Sequence, residues 1–176
     1  MEESKNHLTI FKYNAILSIL FFLSSTFYMG VRTTNYNFSD YTISGLAHFL
    51  DKDNLSIFNS LFFVKSFLDL SFAYYVFKFY NLRLKTLPAV VLLIAILSFG
   101  LLGFFSVNQF PLIHLIIFII TFFSWISSQY TLAKLTNDEN FVHFSKLLIL
   151  AETIFGNIFL FLNYFNAISE TVFCLL

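Results

Sequence analysis

The sequence predicts an all-α integral membrane protein, a polytopic bundle of five transmembrane helices that forms one domain over residues 1–176. Of the 176 residues, 58% are hydrophobic and only 11% are charged, and the mean hydropathy is +0.78. Soluble domains carry about 25% charged residues and about 45–50% apolar ones. The 27 phenylalanines also exceed what a soluble core of this size would bury. The composition therefore excludes a soluble enzyme, a disordered chain and a disulfide-stabilised scaffold.

Five apolar segments have the length of about 20 residues that a helix needs to cross a bilayer. They cover residues 8–31, 55–80, 87–107, 110–135 and 147–165. The first is too long, and its flanks too weakly basic, for a cleaved signal peptide, so we interpret it as a signal-anchor helix. The third is almost wholly apolar, which favours either a lipid-facing or a peripheral position in the bundle. The fourth begins with Pro111, which suits the first turn of a helix.

The distribution of basic residues predicts a multi-pass protein of the cell membrane whose N-terminus lies in the cytoplasm. Cytoplasmic segments of membrane proteins are enriched in lysine and arginine. With this orientation seven basic residues are cytoplasmic and two, Arg32 and Lys52, are exterior. The seven are Lys5, Lys12, Lys78, Arg83, Lys85, Lys134 and Lys146. The long loop 32–54 would then be exterior, and its apolar stretch 41–50 predicts a short interfacial helix.

One pair of opposite charges lies within the second span. Lys65 and Asp69 are spaced i,i+4, which is the distance for an ion pair along a helix. At 100° per residue they share about a third of the helix circumference with Asn59 and Ser66. An isolated charge at mid-bilayer costs about 2.5–3.5 kcal/mol on insertion scales, so such residues mark either a functional site or a structural pair. The sequence leaves both interpretations open.

Three further candidate sites have simpler alternatives. His48 with Asp51 and Asp53 suggests either a metal-binding group or an acid–base pair in the exterior loop, although their spacing matches no known ligand signature. His114 lies close to the predicted outer surface, where a solvated histidine is the simpler interpretation. Glu152 lies about one turn inside the predicted cytoplasmic boundary, which favours a snorkelling or capping role. The serine, threonine and asparagine stripes on the other spans favour helix packing.

Neither a cofactor nor a metal site is predicted. Ten Lys+Arg balance ten Asp+Glu, so no basic field predicts a nucleic-acid partner. The single cysteine, Cys174, excludes an internal disulfide and a multi-cysteine metal site. The sequence contains neither a glycine-rich phosphate loop nor a metalloprotease or hydrolase motif. The expected partners are the lipid bilayer and either a membrane protein or a second copy of the chain.

Five short motifs are spread along the chain. They are Tyr-Thr-Ile-Ser-Gly-Leu at 41–46, Ile-Phe-Asn at 57–59, the glycines and phenylalanines of 100–105, Phe-Pro followed by His114 in 110–114, and Ile-Ser-Glu at 168–170. Together they resemble the pattern of a family of small bacterial and archaeal membrane proteins catalogued as domain of unknown function 998. The resemblance implies a membrane helix bundle and no established activity.

The resemblance also implies which individual positions are candidate functional residues. These are Ser44, Asn59, Pro111, His114 and Glu170. It implies that Ser44, Asn59 and His114 lie toward the exterior side. The chain departs from the family pattern at Gly45, where the family has an acidic residue, and at Thr171, where it has an arginine. The family's sixth span would begin near 168–170, which indicates either a five-helix variant or a truncated chain.

Three functions of different class follow as hypotheses. The first is a non-enzymatic binding or accessory subunit, which we favour because no nucleophile–base pair is evident. The second is a small transporter or proton or ion pathway that uses Lys65 and Asp69. The third is a lipid-modifying enzyme with an exterior site built from His48, the aspartates at 51 and 53, or His114.

Overall fold

The computed structural model describes residues 10–161 and Thr171, with side chains described for residues 10–154 and for Thr171. Within this part of the chain the regular structure is entirely helical. The helices are α1 (Asn14–Arg32), α2 (Lys52–Phe79), α3 (Leu87–Phe104), α4 (Pro111–Ala133) and α5 (Glu139–Phe161). Short 3-10 helices occupy Ile10–Tyr13, Ser44–Phe49 and Lys134–Thr136. The predicted all-α class is therefore confirmed.

Among the described residues, four helices are long and apolar enough to cross a membrane, which is compatible with a multi-pass membrane protein. They are Ile10–Arg32, Lys52–Phe79, Leu87–Phe104 and Pro111–Thr136. The predicted fifth span, 147–165, extends beyond the described residues. The helix that contains the predicted start at 147 begins earlier along the chain, at Glu139. The Asp138 carboxylate accepts hydrogen bonds from the backbone N–H groups of Asn140 and Phe141 and so caps a polar first turn.

The helices pack in chain order, each antiparallel to the one before it. Main contacts are made by α1 with α2, α2 with α3, and α3 with α4, whereas α5 packs against α4 and the 3-10 helix Lys134–Thr136. We call the end where α1 begins, and where the connections 80–86 and 134–138 lie, the basic end. The end that carries the connections 33–51 and 105–110 is the loop end. Side chains on the outer surface of the bundle are largely apolar.

Helix α3 packs against both α2 and α4, so its predicted peripheral position is wrong, although side chains such as Leu97 and Phe104 are exposed on the outer surface. Half of its spanning residues are buried, compared with 22–33% in the other three spans. Its small residues explain the difference, because they allow neighbouring helices to approach closely. A Cβ added at Gly103 would lie 2.5 Å from the Asn59 backbone oxygen, and one at Gly100 would lie 3.0 Å from the Ser66 hydroxyl.

The long connection 33–51 folds over the loop end. The predicted short helix is present as Ser44–Phe49, but its inner face is part of the core and not merely an interfacial surface. Leu46 and Ala47 are each 1% exposed. The side-chain amide of Asn108, in the connection between α3 and α4, donates a hydrogen bond to the Ala47 carbonyl. The two connections therefore hold each other in place over the bundle.

Replacing Gly103 by alanine should destabilise the protein more than the same change at Gly100. The added methyl group meets backbone at Gly103 but a rotatable hydroxyl at Gly100. Overpacking of this kind typically costs about 1–3 kcal/mol. Thermal unfolding in a mild detergent measures both variants, and an equal or larger loss for Gly100→Ala would contradict the packing described for α3.

Candidate functional site

The predicted ion pair forms in the interior of the bundle. The Lys65 Nζ lies 2.6 Å from the Asp69 Oδ2, and the two side chains are 6% and 3% exposed. Both belong to the 28-residue helix α2, in which Lys65 is close to the midpoint. At 1.5 Å per residue, Lys65 lies about 20 Å from either end of the helix. The pair is thus near the middle of the span, where solvation by water is weakest.

Residues of three other helices surround this pair. From α1, the Ser18 hydroxyl donates a hydrogen bond to the Asp69 Oδ1. The Lys65 Nζ lies 4.5 Å from the ring centroid of Phe99 on α3 and 5.3 Å from that of Trp125 on α4. Desolvated cation–π contacts can contribute about 2 kcal/mol. We call Lys65, Asp69, Ser18, Phe99 and Trp125 the charged centre.

Polar side chains around the charged centre connect neighbouring helices. The Ser66 hydroxyl on α2 donates to the Ile96 carbonyl on α3 at 3.1 Å. The Thr121 hydroxyl on α4 donates to the Ser98 hydroxyl on α3 at 2.9 Å. The polar stripes that the sequence shows on these helices thus supply interhelical hydrogen bonds.

Aromatic packing closes the loop-end side of the charged centre. Phe22 of α1, Phe62 of α2 and Phe99 of α3 form a cluster whose ring centroids are 5.1–5.3 Å apart. The Phe22 ring meets the other two edge-on, which is a favourable geometry for aromatic pairs. These phenylalanines therefore belong to the core, whereas others, such as Phe67, are exposed on the outer surface.

The other candidates on the loop-end side do not join the charged centre. Asn59 is half-buried in α2, and Ser44 is half-buried with its hydroxyl 3.3 Å from that of Thr42. His48 is exposed. His114 is buried, with 7% exposure, so the expectation of a solvated histidine is wrong. Its Nδ1 lies 2.7 Å from the Phe105 carbonyl, at the connection between α3 and α4.

Asp51, one of the proposed exterior acid–base residues, has a structural partner instead. The Asp51 carboxylate accepts hydrogen bonds from the backbone N–H and the side-chain amide of Asn54, which caps the start of α2. The His114 ring is bound to a backbone carbonyl, as described above. Across the described part of the chain, no group of three or more His, Cys, Asp or Glu side chains is arranged to hold a metal ion.

Glu152 on α5 is buried, with 4% exposure, so the expected snorkelling position is wrong. Its carboxyl group faces α4, where the Gln129 Nε2 donates to the Glu152 Oε1 at 3.0 Å. Sequence reasoning did not single out Gln129, although an amide side chain in an apolar segment was the available signal. The aromatic contacts of Lys65 were also missed, because residue types alone do not show which rings meet a given amine.

Comparison of the chain with protein-family models, curated proteins and solved structures returned no match. The resemblance to domain of unknown function 998 therefore rests on its short motifs alone and stays a prediction.

Removing the Ser18 hydroxyl should destabilise the bundle because one oxygen of the Asp69 carboxylate then loses its donor. An unsatisfied buried group of this kind costs about 1–3 kcal/mol, and more if it is charged. We expect Ser18→Ala to lower the midpoint of thermal unfolding in detergent. Thr26→Val is the matched control on the same helix, since the Thr26 hydroxyl contacts only carbonyls of its own helix. Equal effects of the two variants would contradict a specific role for Ser18.

Proposed function

We propose that the chain is a non-enzymatic multi-pass membrane protein, a binding or accessory subunit, in which the Lys65–Asp69 pair serves the bundle itself. The supporting observation is that the bundle supplies the partners of both charges. Asp69 is bound by Lys65 and Ser18, and the Lys65 amine also faces the rings of Phe99 and Trp125. Such an arrangement holds four helices in one register, which is a known use of buried polar groups.

The orientation and the partners belong to the same proposal. Exposed basic residues at the basic end support its placement in the cytoplasm, and the loop end would then face the exterior. Helix α5 would be a fifth span. Four of its exposed apolar side chains, Phe144, Leu147, Leu150 and Ile154, lie within about a third of the helix circumference at 100° per residue. This face would contact lipid or, in an assembly, another membrane protein or a second copy.

Replacing both charges by apolar side chains should leave the protein folded, whereas replacing one should not. Lys65→Met alone or Asp69→Leu alone leaves an unpaired buried charge, and breaking a buried pair in this way costs about 3–5 kcal/mol. The double variant Lys65→Met/Asp69→Leu removes both charges, and such replacements are often neutral or stabilising. Thermal unfolding and size-exclusion chromatography in a mild detergent measure stability and assembly.

Lys78→Met is the matched control, because Lys78 is an exposed lysine of the same helix. We expect its effect to stay within about 0.5 kcal/mol. We also expect the double variant to elute with the same apparent mass as the wild type. If the double variant unfolds as readily as the single ones, the pair is not a self-contained structural unit and the proposal is wrong.

A proton or ion pathway is the second candidate function. It is favoured by one observation, the position of two ionisable groups near the middle of α2. Purified protein in liposomes that contain a pH-sensitive dye distinguishes the two functions. A structural pair predicts no proton flux above that of empty liposomes. Flux that the wild type supports and Asp69→Asn abolishes would instead establish the pathway.

A further inference from the structure

Glu152 is a buried carboxyl group whose surroundings differ from those of Asp69. Its hydrogen-bond partner is the Gln129 side-chain amide, 3.0 Å away on α4. Among the residues that the structure describes, Lys65 and Asp69 form the single ion pair, so no cation lies within 4.0 Å of the Glu152 carboxyl. Glu152 is nevertheless as buried as the members of that pair, with 4% exposure.

The basic groups on the segments around Glu152 lie nearer the basic end, where they are exposed to solvent. Lys134 and Lys146 are exposed, and the Lys134 Nζ lies 4.4 Å from the centroid of the Tyr130 ring. His143 on α5 is exposed as well. Lys146 and His143 lie more than one helical turn before Glu152 along α5. Lys134 lies more than one turn after Gln129, which is opposite Glu152 on α4. None of them neutralises a negative charge on Glu152.

A carboxylate without a counter-ion in an apolar environment costs several kcal/mol, which a carboxyl group avoids by holding a proton. We propose that Glu152 is a proton-binding site at the contact between α4 and α5, separate from the charged centre. The geometry fits the protonated group, because the Gln129 N–H donates to one oxygen while the other carries the proton.

Modification by dicyclohexylcarbodiimide tests this proposal on the intact protein in vesicles at neutral pH. This apolar reagent reacts with protonated carboxyl groups inside membranes. The carboxyl proton passes to a carbodiimide nitrogen, the carboxyl oxygen adds to the central carbon, and an acyl shift gives a stable N-acylurea without a leaving group. Mass spectrometry should find a gain of one reagent molecule on the Glu152 peptide. Asp69 should stay unmodified, because Lys65 and Ser18 already bind its two carboxylate oxygens.

Glu152→Gln is the control variant, since its amide oxygen can still accept the bond from Gln129 and its modification should be lost. Modification of Glu152 only after acidification would show an ionised group at neutral pH and would overturn the proposal. Infrared spectroscopy gives a measurement that does not depend on reagent access. The carbonyl band of a protonated carboxylic acid should be present in the wild type and reduced in Glu152→Gln. Identical spectra of the two proteins would also overturn it.

Discussion

An amine and a carboxylate in the middle of an apolar bundle must each be compensated by groups that lie beside them. The Lys65–Asp69 ion pair meets this requirement within one helix, because i,i+4 spacing brings the two side chains together whatever the neighbouring helices do. The other contacts of the two charged groups then constrain the neighbouring helices. Ser18 must face the second carboxylate oxygen, and Phe99 and Trp125 must present their rings to the amine. A rotation or shift of α1, α3 or α4 would break one of these contacts.

The central position of α3 follows from the small size of some of its side chains rather than from their polarity. The backbone of α3 approaches α2 closely where Gly100 and Gly103 lie against that helix. Bulky side chains of α3, such as Leu97 and Phe104, are exposed on the outside of the bundle. Because lipid and protein interior are equally apolar, hydropathy does not distinguish the two faces of this helix. The small residues of α3 do distinguish them, because neighbouring helices can approach closely on the face where the glycines lie.

Sequence reasoning was strongest for features that are local along the chain. It placed four spans within a few residues of the observed helices, and it identified Lys65 and Asp69 as partners because their spacing alone determines that contact. It was weakest for contacts between helices. The burial of His114 and Glu152 depends on a backbone carbonyl and an amide side chain that other segments bring close, Phe105 and Gln129. Neither the spacing nor the residue types around the two positions reveal those partners.

A measurement of water access to the charged centre tests most directly whether the Lys65–Asp69 pair has a purely structural role. Single cysteines in place of Ser66 and Ala73, in a chain that carries Cys174→Ser, lie on the buried face of α2 beside the pair. A cysteine in place of Thr34, an exposed residue of the connection 33–51, is the reference. Thiols react as thiolates, which form where water reaches them. We predict that a charged methanethiosulfonate reagent modifies the reference cysteine and leaves both buried cysteines unmodified. Rapid modification of either buried cysteine in folded protein would show a water-filled route to the pair and would contradict a sealed structural centre.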